Sequence, residues 1–259
     1  MRLILAILAI VGTGCGSALA ERVPLPRPRP AIAVPAAPHS FAEAAAGLDL
    51  DTKDVSSAPT PCDRRLAAVA AVTLLPRLIG PGACGGPDMV EVDGVLMPDK
   101  RRIAVEPPAL LNCAMAESLA GWLREEAAPR VAKLGSALAA VENYDSYECR
   151  TRNRVPGAKL SEHAHGDALD VRALRLADGR RLELTDAKVD MGLRTGLRDS
   201  ACHRFTTVLG PGADGYHNGH VHLDVIQRRA GYRICEWDVR PPTAPVPLPR
   251  PRPVIAAVR

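Results

Sequence analysis

Six of the seven histidines lie between residues 163 and 222, and five of these six occur with acidic residues in two short segments. The first segment, residues 161–171, contains the pattern S-x-H-x-x-G-x-A-x-D. The second, residues 217–225, contains H-x-H and then an aspartate. Two imidazoles and one carboxylate, with a fourth position open for water, form the usual coordination sphere of a catalytic zinc ion. The candidate ligands are His163, Asp170 and His222.

Both segments show the alternation of a β-strand. In the first, the pattern predicts two strand faces: Ala168, Asp170 and Arg172 on one, and Leu169, Val171 and Ala173 on the other. In the second, it predicts an apolar face of Val221, Leu223 and Val225 opposite His220, His222 and Asp224. Gly166 can provide the turn that folds the loop carrying His163 back beside Asp170.

A zinc ion bound here would lower the pKa of its bound water toward neutrality and polarise a carbonyl, which suits amide hydrolysis. A hydrogen-bonded histidine cluster that stabilises a small sheet is the structural alternative. A nuclease of the HNH type is a poor interpretation of residues 217–220, because no flanking ββα pattern or basic cleft is visible.

The first 20 residues predict a signal peptide. Arg2 supplies positive charge, residues 3–11 form a short apolar run, and Ala18-Leu19-Ala20 is a cleavage site. The run is much shorter than the roughly 20 residues that a membrane span needs. We therefore expect a periplasmic or secreted protein. Lipid attachment at Cys15 is a weaker alternative, because Gly12 stands where a branched apolar residue is expected.

Removal of the signal peptide leaves six cysteines: Cys62, Cys84, Cys113, Cys149, Cys202 and Cys235. An even set in an oxidising compartment predicts three disulfides, and six cysteines permit 15 pairings. Linking near neighbours favours Cys62–Cys84, Cys113–Cys149 and Cys202–Cys235. No C-x-x-C pair is present, so a zinc site built from cysteines is disfavoured.

The domain organisation follows from the composition. Residues 21–61 form an arm rich in Pro, Ala and Arg, and residues 240–259 form a Pro/Arg-rich tail. The octapeptide VPLPRPRP occurs in both, at residues 23–30 and 246–253, and predicts polyproline II rods. They are plain linkers or arms that bring Arg to an anionic envelope surface. The net charge of +4 is a weak argument for nucleic acid, which we do not expect as a partner.

The folded domain is expected at residues 62–239, and its pattern predicts an α+β fold. We predict helices at 64–75 and 108–128, the second ended by Pro129, and a turn-rich loop at 80–86. The apolar stripe of the second helix is Leu111, Met115, Leu119, Trp122 and Leu123. Strands are predicted at 90–97, 102–105 and 144–150, with Asp93-Gly94 as a hairpin turn.

The two histidine segments resemble the shared signature of zinc peptidases of the D-alanyl-D-alanine carboxypeptidase and murein endopeptidase class. Residues 60–237 also resemble the bacterial extensin-like C-terminal domain family. The runs that carry this second resemblance are GPGACG at 80–85, WLREE at 122–126, YECR at 147–150, SEHA at 161–164 and VLGPG at 208–212. The resemblance implies a disulfide-stapled, DD-peptidase-like fold with a small antiparallel sheet, flanking helices, and zinc held by His163, Asp170 and His222.

The resemblance also implies roles for neighbouring residues. His220, the catalytic residue implied, would be a group behind the ligands or an acid–base group that stabilises the transition state. Arg150 holds a substrate carboxylate or forms a structural ion pair, and Ser161 positions substrate or caps a loop. Asp224 orients His220 or His222, or pairs with an arginine. His165 is a further polar candidate that could face solvent.

One position departs from the carboxypeptidase pattern. These enzymes carry an acidic base three residues before the last zinc ligand, where this chain has Gly219. The leading expectation is an exported zinc peptidase-like protein that hydrolyses peptide bonds of peptidoglycan stems or crosslinks. The alternative is a non-catalytic module that binds the cell wall or organises the envelope, and a weaker one is an interaction protein acting through its two arms. The oligomeric state stays open.

Overall fold

The computed structural model describes residues 49–50, 60–75 and 77–240. The predicted signal peptide, Cys15, both VPLPRPRP copies and nearly all of the two arms lie outside these residues. Twelve strands are described: β1 Asp49–Leu50, β2 Ala70–Leu74, β3 Leu78–Ile79, β4 Gly85–Gly86, β5 Met89–Leu96, β6 Arg102–Asn112, β7 Leu138–Asp145, β8 Ala168–Leu176, β9 Arg181–Glu183, β10 Thr207–Leu209, β11 Val221–Asp224 and β12 Ile234–Glu236.

The described α-helices are α1 Pro61–Leu66, α2 Cys113–Trp122, α3 Ala128–Ala132 and α4 Met191–Arg204. A π-helical segment, Leu123–Ala127, joins α2 to α3. Short 3-10 turns occur at Arg152–Arg154, Glu162–His165 and Arg229–Gly231. These helices and strands together confirm the α+β class.

Nine strands form one mixed sheet, in the order β12-β10-β11-β8-β7-β6-β5-β2, with β9 also paired to β8. Most neighbours are antiparallel, but β6–β7 and β10–β12 are parallel. The described sheet is thus mostly antiparallel, as expected, but it is mixed and larger than the small antiparallel sheet that the resemblance implies. The sheet is larger because segments that the local pattern assigned to helix or loop pair as strands.

The helices cover one face of this sheet. Leu169 and Val171 of β8 and the apolar residues of β11 belong to the same buried cluster as the α2 side chains. The indole N–H of Trp122 donates to Ser200 Oγ at 3.0 Å and so ties α2 to α4. Polar residues that alternate with these apolar ones consequently lie on the sheet face away from the helices.

The helix predicted at 108–128 is correct in its centre and wrong at both ends. Its N-terminal residues belong to β6, and α2 begins after Asn112, whose side chain accepts a hydrogen bond from the Met115 N–H at 2.9 Å. Pro129 does not end the helix, because it stands in the first turn of α3, where a missing N–H is tolerated. The predicted stripe is buried, although Leu111 contributes to it from β6.

Two other element predictions are corrected. The helix expected at 64–75 ends at Leu66, and residues 70–74 instead pair with β5 as β2. The strand expected at 144–150 is β7, which ends at Asp145. In both cases pairing with a distant strand outweighs the local pattern. The strand predicted at 90–97 is confirmed as β5, and the one at 102–105 extends to Asn112.

The six cysteines of the described residues all form disulfides, but two of the three favoured pairings are wrong. The bonds are Cys62–Cys113, Cys84–Cys149 and Cys202–Cys235, of which only the last was expected. Helix packing brings α1 against the start of α2, which overrides closeness in sequence. Three disulfides indicate an oxidising compartment outside the cytosol. In the described ranges, no helix combines the length and apolar character that a bilayer crossing requires.

Candidate metal centre

Asp170 and His222 stand directly opposite each other on the antiparallel strands β8 and β11. Opposite residues of such a pair project from the same face, so their side chains meet. The Nδ1 atom of His222 lies 2.9 Å from Asp170 Oδ1. The sequence pattern predicts that each of these side chains lies opposite the apolar face of its strand, and in the structure Leu169, Val171, Val221 and Leu223 of those apolar faces pack in the helix-covered core.

His163 reaches the same point from the loop between β7 and β8. It lies on the 3-10 turn Glu162–His165, which ends at Gly166 in the left-handed conformation, with φ of 69°. A Cβ atom at Gly166 would lie 2.8 Å from the backbone nitrogen of Asn112, so the position has no room for a side chain. The glycine returns the chain to β8 and sets His163 Nε2 3.3 Å from Asp170 Oδ1.

The three side chains form a compact set of donor atoms. His163 Nε2 and His222 Nδ1 are 3.2 Å apart, which closes the triangle with the two distances to Asp170. Ligand atoms about 2.0–2.1 Å from a tetrahedral zinc ion are separated from one another by about 3.3–3.4 Å. The three residues are 2%, 4% and 8% exposed. The donor set therefore fits zinc in chemistry, spacing and burial.

Hydrogen bonds behind the triangle decide which ring nitrogen points inward. His163 Nδ1 lies 2.5 Å from the carbonyl oxygen of Ser146, to which it donates, and this leaves Nε2 as an acceptor. His222 Nε2 faces Asp224 Oδ2 at 3.4 Å, which leaves Nδ1 for the centre. Partners of this kind orient metal-bound histidines. The sequence left open whether Asp224 orients His220 or His222 or pairs with an arginine. In the structure its carboxylate contacts His222.

The buried histidines and aspartates at the centre each stabilise the charged form of the other. Burial acts to lower the pKa of His222, but the hydrogen bonds that its ring donates to the Asp170 and Asp224 carboxylates outweigh burial and raise the pKa to about 9. Burial acts to raise the pKa of Asp170, and the neighbouring histidines hold that pKa well below its usual range. The carboxylate is thus ionised and available to a cation.

His220 lies at the edge of the triangle rather than within it. Its Nε2 is 3.2 Å from Asp170 Oδ2, the second oxygen of the same carboxylate. Its ring stacks on Tyr144, with ring centroids 4.8 Å apart and planes at 26°. The side chain is only 12% exposed, so it combines contact with a candidate ligand and limited access to solvent.

Sequence reasoning assigned no role to His217, although the structure places it against the centre. Its ring meets those of His220 and His222 edge-on, with centroids 5.3 Å and 5.6 Å away. Its Nδ1 lies 2.7 Å from Asp214 Oδ1, and burial lowers its pKa. His217 precedes β11, so strand alternation could not indicate it; the only signal was its place in the histidine cluster.

The guanidinium of Arg150 is bound to three protein groups. It donates to Asp145 Oδ2 and Glu148 Oε2 at 2.7 Å each, and to Ser161 Oγ at 3.3 Å. Asp145 stands opposite Asp170 in the sheet, so Arg150 offsets the repulsion between two facing carboxylates. The structural ion pair therefore exists, whereas contact with substrate stays a prediction. Ser161 makes no side-chain capping bond, and its hydroxyl accepts from Arg150 instead. His165 lies half-buried on the same turn, outside the grouped donors.

The alternation predicted for β8 holds through Val171 and then shifts. The register pairs between β7 and β8 at this point are Glu142–Ala173, Asn143–Val171 and Asp145–Asp170. Arg172 in β8 and Tyr144 in β7 have no partner in this ladder, so each is the extra residue of an irregular step. A bulge of this kind reverses the faces that follow it, and accordingly Leu174 rather than Ala173 joins the helix-covered core.

The comparison with known families gives one match. Residues 60–236 match the family model described as Extensin-like protein C-terminus. The matched range includes the three candidate ligands, His217, His220 and all six cysteines. No curated protein and no solved structure shows a significant match to the chain.

Proposed function

The chain belongs to the extensin-like protein C-terminus family, and from this premise we propose that it is an exported zinc-dependent peptidase acting on peptidoglycan. Its substrates are the peptide bonds of stem peptides or crosslinks. The observation that carries the proposal is the buried triangle of His163 Nε2, Asp170 Oδ1 and His222 Nδ1. The three disulfides support export, since the cytosol disfavours them.

His163, Asp170 and His222 hold the zinc ion in this proposal. When bound, zinc supplies a water of lowered pKa and polarises the carbonyl group that is to be cleaved. Ser146 and Asp224 keep the two imidazoles in the tautomers that binding requires. Arg150 acts as a positioning residue, because it joins Asp145, opposite one ligand, to Ser161, which begins the turn of another.

Gly219 leaves open which group takes the proton from water, and His217 fills that role in the proposal. Its Nδ1–H donates to Asp214, which fixes the ring and leaves Nε2 as the acceptor. His220, in contact with Asp170, stabilises the charge that develops on the substrate carbonyl. An aspartate–histidine pair thus replaces the carboxylate found in the carboxypeptidases.

A second function has a specific observation in its favour. Because the usual acidic base is missing at Gly219, the same fold could bind wall peptides through its metal without cutting them. The two functions differ in products, not in metal content, so metal analysis does not separate them.

Digestion of isolated sacculi separates the two functions. Purified protein with added zinc is incubated with sacculi, and the muropeptides are resolved by chromatography. We expect new products from the wild type, none from His163→Ala, and at least a hundredfold slower release from His217→Gln, since general acid–base groups contribute about 10²–10⁴-fold. His203→Gln, an exposed histidine on α4, is the matched control and keeps wild-type activity. Retained binding to sacculi without products would contradict hydrolysis and favour the binding module.

A further inference from the structure

Two of the three irregular steps in the β7–β8 ladder bring an arginine and a tyrosine together beside the candidate centre. Arg172 and Tyr144 are the residues that the register omits at these two steps, and they lie on opposite strands close to Asp170. The Arg172 guanidinium carbon lies 4.6 Å from the centroid of the Tyr144 ring. Bulges commonly occur beside active sites, where they redirect a side chain. The position of these two bulges beside the candidate centre therefore indicates that they serve a function there.

The guanidinium of Arg172 has no hydrogen-bond acceptor among the described residues. Its side chain is exposed and, within the described part of the chain, forms neither a hydrogen bond nor an ion pair, and its guanidinium lies over the Tyr144 ring. Glu142, whose pKa is lowered mainly by Arg181 and to a smaller extent by the charge of Arg172, is already bonded to Arg181. Arg175, three residues further along β8, pairs with Glu106. The donors of Arg172 are thus available to a ligand.

Tyr144 links this arginine to the histidine cluster. The tyrosine is 45% exposed, and its ring also stacks on that of His220, which contacts Asp170. Arg172, Tyr144, His220 and Asp170 therefore form a continuous series of contacts from solvent to the candidate ligand. A guanidinium held over an aromatic ring keeps its plane fixed, so less conformational freedom is lost when its edge binds an anion.

We propose that Arg172, oriented by Tyr144, binds a free carboxylate of the peptide substrate. This inference rests on the proposed function and specifies its substrate class: a peptide whose terminal carboxylate lies near the bond to be cleaved. A planar guanidinium binds a carboxylate through two parallel hydrogen bonds. Two strand positions span about 7 Å, and a peptide residue extends about 3.3–3.6 Å, so the carboxylate stands within a few residues of the metal ligand Asp170.

Arg150 is less suited to this task. Its three nitrogens already donate to Asp145, Glu148 and Ser161, and its side chain is 16% exposed. Its release to a substrate would leave Asp145 unpaired opposite Asp170, at a cost typical of a buried charge that loses its partner. The two arginines therefore have different roles. Arg150 supports the residues of the candidate metal centre, and Arg172 faces the peptide substrate.

The test compares two synthetic peptides, diacetyl-L-Lys-D-Ala-D-Ala and its C-terminal amide, which differ only in the terminal charge. Binding is measured by calorimetry on the full chain stripped of metal, and hydrolysis is measured on the zinc-loaded chain. The variants are Arg172→Gln, Arg172→Lys and, as a matched control on the same strand, Arg175→Gln. Arg172 is exposed and Arg175 half-buried, so all three variants are expected to fold, and an unchanged circular dichroism spectrum checks this.

We expect the wild type and Arg175→Gln to bind the acid at least tenfold more tightly than the amide, as charge-assisted hydrogen bonds typically allow. Arg172→Gln should bind both within about twofold, and Arg172→Lys should fall between, because lysine keeps the charge but not the planar fork. A wild type that binds neither peptide or prefers neither, or an Arg172→Gln protein that keeps the preference, overturns the proposal. An equal loss in Arg175→Gln also overturns it, since the effect would then be one of net charge. A preference that depends on Arg172 without any hydrolysis supports the subsite and refutes the peptidase function.

Discussion

Each of the three candidate ligands is fixed by a second residue behind it. Ser146 holds His163, Asp224 holds His222, and three histidines surround the carboxylate of Asp170. These supports matter because a metal site tolerates little error in distance or orientation. At the residue scale, then, the contacts behind the ligands are the sharpest test of the metal assignment.

Asp224→Asn should weaken zinc binding about 10- to 100-fold without removing a ligand. The amide keeps the volume of the carboxylate but loses the charge that orients His222 Nε2–H, and substitutions behind a ligand typically have effects of this size. Competition with a chromophoric chelator measures the affinity. Asp178→Asn, an exposed acid bonded to Arg180, serves as the control. An affinity equal to that of the wild type would contradict the role given to Asp224.

The residue types of the centre could be predicted from the sequence more fully than its surroundings. His163, Asp170 and His222 could be predicted as a group, because strand alternation and a conspicuous glycine place them together. His217 was not, because a loop residue has no periodicity that fixes its direction. The hydrogen-bond partners of Arg150 could not be predicted either, since they depend on how residues 145–161 fold over the sheet.

Two elements carry the centre, the strand pair β8–β11 and the turn that Gly166 ends. The strands supply Asp170 and His222 through their register, whereas the turn supplies His163 through backbone geometry. A register is held by many hydrogen bonds, but the turn depends on one residue. Among the elements that carry the centre, the turn is therefore the one most sensitive to substitution, at Gly166.

Gly166→Ala should destabilise the protein by more than the roughly 1–2 kcal/mol of a left-handed alanine and should also weaken zinc binding. The new Cβ would meet the Asn112 backbone at 2.8 Å and the Met89 side chain at 2.7 Å. Gly179→Ala is the matched control, because its φ is 87° and no atom lies within 4 Å of the added carbon. Urea unfolding gives both free energies. Equal losses in the two variants would show that the contacts at Gly166 do not matter.

The elements themselves were only partly predictable. Strands β5, β8 and β11 followed from alternation, but the helix at 64–75 and the strand at 144–150 were misplaced. The local pattern assigns residues 70–74 to a helix, but they become a strand because β5 is available beside them. The bulges at Arg172 and Tyr144 also depend on pairing between strands, so no period within one strand could reveal them.

At the scale of the whole molecule, the described domain is held by a helix-covered core and by three disulfides that join distant parts of its chain. Two of the bonds close loops with sequence separations of 51 and 65 residues, and the third closes one of 33. Sequence proximity favoured shorter links because it takes no account of packing. The actual pairing ties the N-terminal α1 to α2 and the segment before β4 to the loop that carries Arg150.

Replacing both cysteines of a disulfide by serine should cost about 4 kcal/mol in the chain-entropy account, with the Cys84–Cys149 bond worth roughly 0.6 kcal/mol more than Cys202–Cys235. The reason is that the first bond closes the longer loop, 65 against 33 residues. Guanidinium unfolding of the two double variants under identical conditions measures both. A larger loss from Cys202→Ser/Cys235→Ser would mean that native-state contacts, not loop closure, dominate.

The most direct test of the metal assignment is the zinc content of the purified full-length chain. Protein is isolated without chelator and measured by plasma emission spectrometry, together with His163→Ala, His222→Ala and the exposed control His203→Gln. We predict about one zinc ion per chain in the wild type and in His203→Gln, and loss of the metal in the two ligand variants. A wild type without zinc that also fails to take it up on addition, or ligand variants that retain it, would contradict the centre proposed here.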